Sequence, residues 1–110
     1  METPSDVATP APAVTEDQVR LALRRVRDPE LNLNIVDLGL VYAIRVDGAN
    51  VEVDVSLTSP GCPSGAEILK GVEDEVRAAE GVEGAVVNLV WAPPWTPERI
   101  EPRVRAYLGF

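Results

Sequence analysis

Histidine is absent from the 110 residues, and cysteine occurs once, as Cys62. The first absence removes Ser-His-Asp and Cys-His nucleophile pairs, imidazole metal ligands and the imidazole general base. The second removes any intramolecular disulfide and any Cys-x-x-Cys redox pair, and fits a reducing, cytoplasmic compartment. It also sets a limit on metal binding. A structural zinc ion or an iron–sulfur cluster ordinarily takes four protein ligands, and this chain offers one soft one. Any metal or cluster on Cys62 must be shared with a partner or second subunit, completed by small thiols or carboxylates, or held only in transit.

Basic residues are also scarce. Ten Lys and Arg stand against 18 Asp and Glu, for a formal net charge of −8. Apart from Arg24, Arg25 and Arg27 the bases are scattered, which argues against a nucleic-acid partner. No run approaches the roughly 18 apolar residues of a membrane span. Met1 to Asp6 has neither the basic start nor the apolar stretch of a signal peptide. There is no Walker A or G-x-G-x-x-G pattern. With no base or proton shuttle beside the thiol, a turnover enzyme is not expected.

The composition, 45% hydrophobic and 25% charged, is that of one ordinary globular domain. Residues 1–14 are rich in Pro, Ala, Thr and acid without periodicity, and read as a disordered tail before a domain over 15–110. Thr15 with Gln18 forms a capping box, and Val19, Ala22, Leu23 and Val26 follow at helical spacing, predicting a helix over 15–27. Pro29 ends it. An irregular connection follows, with Leu31, Leu33, Ile35, Val36 and Leu38 as apolar anchors and a turn closed by Gly39.

Residues 40–47 and 51–58 alternate as strands around the turn Asp47-Gly48-Ala49-Asn50. Tyr42, Ile44 and Val46 should share one face of the first, and Val51, Val53, Val55 and Leu57 one face of the second. Residues 64–80 predict an amphipathic helix, with Gly81 as its C-cap. Residues 82–92 predict a third strand. A short turn at Thr96-Pro97 and a small helix over 102–108 close the chain, with Ile100, Val104, Tyr107 and Leu108 available to dock it. Trp91 and Trp95 could make a partner surface or a small C-terminal cluster; the cluster is expected for Trp91 and a surface or rim role for Trp95. The order α-β-β-α-β-α predicts an α+β two-layer sandwich. Its small mixed or antiparallel three-stranded sheet is covered by two helices, with the third strand flanking either hairpin strand.

Chemistry concentrates in Thr58-Ser59-Pro60-Gly61-Cys62-Pro63-Ser64, between the cleanest strand and the second helix. A helix N-terminus offers free N–H groups and partial positive charge, which favour thiolate. The alternative, a buried structural cysteine, stays open. Asp28, Glu30 and Asp37 could supply oxygen ligands or simply cap turns, the better single choice on residue type. Thr58 could reach the cysteine loop or bond its own turn.

Four segments in order resemble the MIP18 family, also called domain of unknown function 59. They are Asp28-Pro29-Glu30, Ile35 to Tyr42, Thr58 to Pro63, and Trp91 to Thr96. The resemblance spans about residues 15–108. It implies the iron–sulfur-cluster-assembly-like α+β fold and a role in maturing iron–sulfur proteins as an assembly, carrier or targeting factor. It places the functional thiol on Cys62, the acidic motif positions on Asp28, Glu30 and Asp37, and the motif threonine on Thr58. It implies a transient iron–sulfur cluster or iron as cargo, and assembly machinery and client apo-proteins as partners. One cysteine per chain is better used in pairs, so a homodimer is expected. PaaD-like relatives, accessory to a phenylacetyl-CoA oxygenase, add a cysteine-rich C-terminal segment not found here; a SufT-like factor fits better. The alternative class is a non-catalytic adaptor with a structural cysteine.

Overall fold

The computed structural model describes residues 14–58, 61 and 64–109. The first helix, α1, spans Glu16–Leu23. Thr15 accepts the Gln18 N–H at 3.1 Å, as the capping box requires. The reciprocal half is used elsewhere: the Gln18 amide donates to the Glu80 carbonyl at 2.8 Å, tying α1 to the end of the second helix. The predicted helix over 15–27 stops early. Arg24 and Arg25 form a turn, and Arg27–Asp28 is a short strand, β1, antiparallel to β2 at Leu33–Asn34. The connection expected to be irregular therefore contains a small ribbon, a second sheet beyond the predicted one.

The main sheet has three strands: β3 (Val41–Asp47), β4 (Asn50–Val55) and β5 (Gly84–Leu89). β3 and β4 form the predicted hairpin. β5 lies parallel to β4, with Val51 opposite Ala85 and Val53 opposite Val87. The sheet is thus mixed, in the order β3-β4-β5, and the second helix, α2 (Gly65–Ala78), is the crossover between the parallel pair. The register shifts between Val41 and Ala43. Tyr42 is the extra residue of this β-bulge, so it leaves the face it was expected to share with Ile44 and Val46.

Val51, Val53 and Val55 meet Val19 and Leu23 of α1 and Ile68, Val72 and Val76 of α2 in one core, all at most 2% exposed. Burying each such side chain contributes roughly 1.5–3 kcal/mol before entropy is charged. Val14 is buried too; the rest of the expected tail lies outside the described residues. A 3-10 turn over Pro97–Arg99 and helix α3 (Pro102–Leu108) fall where expected. Ile100 is buried and Val104 packs against the core, but Tyr107 is 89% exposed and Leu108 is also exposed, so only the start of α3 docks. Leu31, expected to be an anchor, is exposed as well.

Candidate functional site

β4 delivers the cysteine loop. Leu57 is buried beyond its last residue, and Thr58 follows half-buried. A Cβ on Gly65 would come within 2.8 Å of the Leu57 side chain, so α2 starts directly against the end of the strand it follows. Because β4 and β5 are parallel, their carboxyl ends and the amino end of α2 meet at one end of the domain, where α/β units place ligand sites. Ser64 does not cap α2 with its side chain, so the first N–H groups of that helix have no partner from it. Cys62, Ser59, Pro60 and Pro63 lie outside the described residues.

The acidic candidates occupy different settings. Asp28 is completely buried in β1. Its Oδ1 accepts the Glu30 N–H at 2.8 Å, an Asx turn over Pro29. Its Oδ2 is buried with no hydrogen-bond partner among the described residues. Such an oxygen costs about 1–3 kcal/mol and requires an explanation. Glu30 is exposed. Asp37 is engaged on both oxygens: Arg24 donates to Oδ1, and the Asn34 amide to Oδ2 at 2.9 Å. Asn34 also accepts the Asp37 N–H at 2.9 Å. No hydrogen bond joins Thr58 to these carboxylates, and no group of three His, Cys, Asp or Glu side chains could hold a metal, among the described residues.

The fourth motif segment packs on the second. Trp95 donates its indole N–H to the Leu38 carbonyl at 2.6 Å, and Tyr42 donates its hydroxyl to the Pro93 carbonyl at 2.7 Å. Arg99 lies 4.4 Å over the Tyr42 ring, and the Glu101 N–H reaches the Asp37 carbonyl at 2.7 Å. The expected roles of the two tryptophans are thereby exchanged. Trp95 packs against the core, while Trp91 is 43% exposed. The chain leaves the sheet after Leu89 and folds back over residues 37–42, which places the later indole inside.

A polar ladder that motif reading missed crosses the open face of the sheet. Arg45 pairs with Asp54 at 2.7 and 3.0 Å and with Glu52 at 3.2 Å, and the Asn88 amide donates to both carboxylates, at 2.7 and 2.9 Å. These bonds from Arg45 first, and Asn88 second, hold the Glu52 and Asp54 carboxyls below their usual range. The alternation of β4 pointed Glu52 and Asp54 outward; only the register could add Asn88.

Residues 16–89 match the iron–sulfur cluster assembly protein family. The chain is similar to the Fe-S protein maturation auxiliary factor SufT of Staphylococcus aureus, at 42% identity over 76% of this chain and 97% of that one. It is also similar to two solved structures. One is a domain of unknown function 59 protein from Bacillus anthracis, with a TM-score of 0.80, 35% identity, and coverage of 86% of this chain and 92% of that one. The other is a conserved hypothetical protein from Thermotoga maritima, with a TM-score of 0.78, 44% identity, and coverage of 88% and 96%. The chain belongs to the iron–sulfur cluster assembly protein family, with the α+β fold of the domain of unknown function 59 structures.

Proposed function

We propose that this chain is an iron–sulfur protein maturation factor that handles iron or a cluster as cargo through Cys62 without turning over a substrate. The observation behind this reading is positional. In a chain of this family, the only thiol belongs to the loop that links β4 to α2, at the carboxyl end of the parallel strand pair. Asp28, a residue of the resembling motif, has a buried Oδ2 with no partner among the described residues, which supports a second role for that carboxylate beyond its turn. Asp37 is better read as structural, since Arg24 and Asn34 occupy both its oxygens. Glu30 and Thr58 remain supporting candidates by their place in the motifs. With one soft ligand per chain, the cargo is completed by the assembly machinery, a client apo-protein or a second subunit.

The test is anaerobic reconstitution with iron and sulfide, paired with transfer to an apo-client. Sulfur-to-iron charge-transfer absorbance is expected in the wild type and its loss in Cys62→Ala, with the thermal unfolding of the two proteins compared to show that the variant is folded. If Cys62→Ser supports client activation as well as the wild type and its thiol alkylates with an ordinary pH dependence, the chain is an adaptor with a structural cysteine.

A further inference from the structure

Ser56 is the last residue before the cysteine loop to make a backbone hydrogen bond among the described residues: its N–H reaches the Leu40 carbonyl at 2.8 Å. Ser56 is fully buried, yet its hydroxyl has only a 3.5 Å contact with the Leu57 carbonyl, too long to fix it in place. The point where the loop leaves the sheet is therefore set by Leu40 on one side. On the other side it is set by the Val90 N–H, which reaches the Val55 carbonyl at 2.9 Å. Leu40 in turn is placed by the helical turn before it. The Leu38 N–H bonds to the Asn34 carbonyl, the Gly39 N–H to the Val36 carbonyl and the Leu40 N–H to the Ile35 carbonyl, at 3.0 to 3.1 Å. The last carbonyls of such a turn have no partner within it. The segment after β5 supplies two partners: the Glu101 N–H reaches the Asp37 carbonyl at 2.7 Å, and the Trp95 indole N–H the Leu38 carbonyl at 2.6 Å. Between Leu38 and Leu40, the Arg99 carbonyl occupies the space a side chain on Gly39 would need, so the turn has no slack on that side. Of the two hydrogen bonds, only that of Trp95 comes from a side chain, and a substitution can remove it alone.

We infer that Trp95 is a positioning residue for the cysteine loop, which rests on the maturation reading above, in which that loop handles the cargo. Trp95 holds the Leu38 carbonyl, the turn over residues 35–39 places Leu40, and Leu40 fixes Ser56, six residues before Cys62 in the chain. Without the indole N–H, a part-buried carbonyl loses its partner, a penalty the turn relieves by moving toward water. Leu40 moves with it, and the last bond before the loop opens. The effect belongs to one end of the sheet. Val51 and Val53 sit in the middle of β4, paired with β3 on one side and β5 on the other, and do not depend on the turn. A residue that only stabilised the fold would act on both regions alike, because a loss of global stability raises opening throughout the cooperative unit.

The test compares the full chain with Trp95→Phe, which keeps an aromatic ring and deletes the N–H, and with Val76→Ala, a core truncation at the opposite end of α2. Amide hydrogen exchange at a temperature where all three are folded should show Ser56 exchanging at least tenfold faster in Trp95→Phe, with Val51 and Val53 unchanged. Alkylation of Cys62 at a pH of about 10, above the ordinary thiol value of about 8.5, reads the setting of the loop rather than its ionisation. Its rate should change at least threefold in Trp95→Phe and stay at the wild-type value in Val76→Ala. After anaerobic reconstitution with iron and sulfide, charge-transfer absorbance should fall at least threefold in Trp95→Phe and persist in Val76→Ala. Unchanged Ser56 exchange or alkylation in Trp95→Phe overturns the inference, as does an equal change in Val76→Ala. If the wild type forms that absorbance, the overturned inference leaves the maturation reading intact; a wild type that forms none overturns both. Should Trp95→Phe not fold, Tyr42→Phe decides in its place, since it removes the other side-chain tie to this segment, the hydroxyl bond to the Pro93 carbonyl. The same pattern there carries the inference, and its absence overturns it.

Discussion

Gly39 holds φ at +76°, and a Cβ there would lie 2.1 Å from the Arg99 carbonyl oxygen. Backbone strain and a backbone clash act together, and neither neighbour is a flexible side-chain tip. Gly39→Ala is therefore expected to cost at least about 2 kcal/mol in urea unfolding; a smaller loss would mean the 96–101 segment shifts freely. The sequence marked Gly39 as a turn closer, because a helical turn before a strand calls for a left-handed residue. Arg99 could not be named from sequence, since its approach depends on how a distant segment folds back. Asp28 shows the same division. The Asp-Pro pair announces a turn, but the complete burial of Asp28, with one oxygen unpartnered among the described residues, follows from the β1–β2 ribbon.

At the scale of elements, period-two alternation in β4 separated Val51, Val53 and Val55 from Glu52 and Asp54, and the structure keeps that division. It did not reveal the bulge at Tyr42, because an extra residue in one strand appears only against its partner. The Arg45–Glu52–Asp54–Asn88 ladder likewise needs three strands in register. It gives a pH prediction. Both carboxyls are held below their usual values in the fold, so their contribution to stability is present at neutral pH. It is lost as pH falls through the carboxylate range, about 4, and below. Arg45→Met should flatten the decline of the thermal midpoint between about pH 5 and 3, and the wild-type decline should depend on salt. Parallel slopes in the two proteins would show that the ladder adds nothing.

For the whole molecule, the segment after β5 acts as a strap. It crosses the 37–42 turn through Trp95, Pro93 and Glu101 and buries Ile100, which is 1% exposed. Ile100→Ala should cost about 2–5 kcal/mol, whereas Tyr107→Ala, at an exposed site, should stay within about 0.5 kcal/mol. Equal effects in chemical denaturation would mean that the strap is not part of the cooperative unit.

Residue types and their spacing by themselves determined the helices, the hairpin, the alternation and the one possible thiol, because these depend on local backbone preference and on apolar period. They also showed that one chain cannot supply four soft ligands. The tertiary structure alone decided that β5 lies parallel beside β4, that Trp95 rather than Trp91 goes inside, and that Asp37 is consumed by Arg24 and Asn34 while one Asp28 oxygen has no partner among the described residues. The strand pairing, the Trp95 contact with Leu38 and the Arg24–Asp37 pair join residues well separated in the chain, set by which packing buries the core with fewest polar groups left unbonded, and no local pattern encodes that choice.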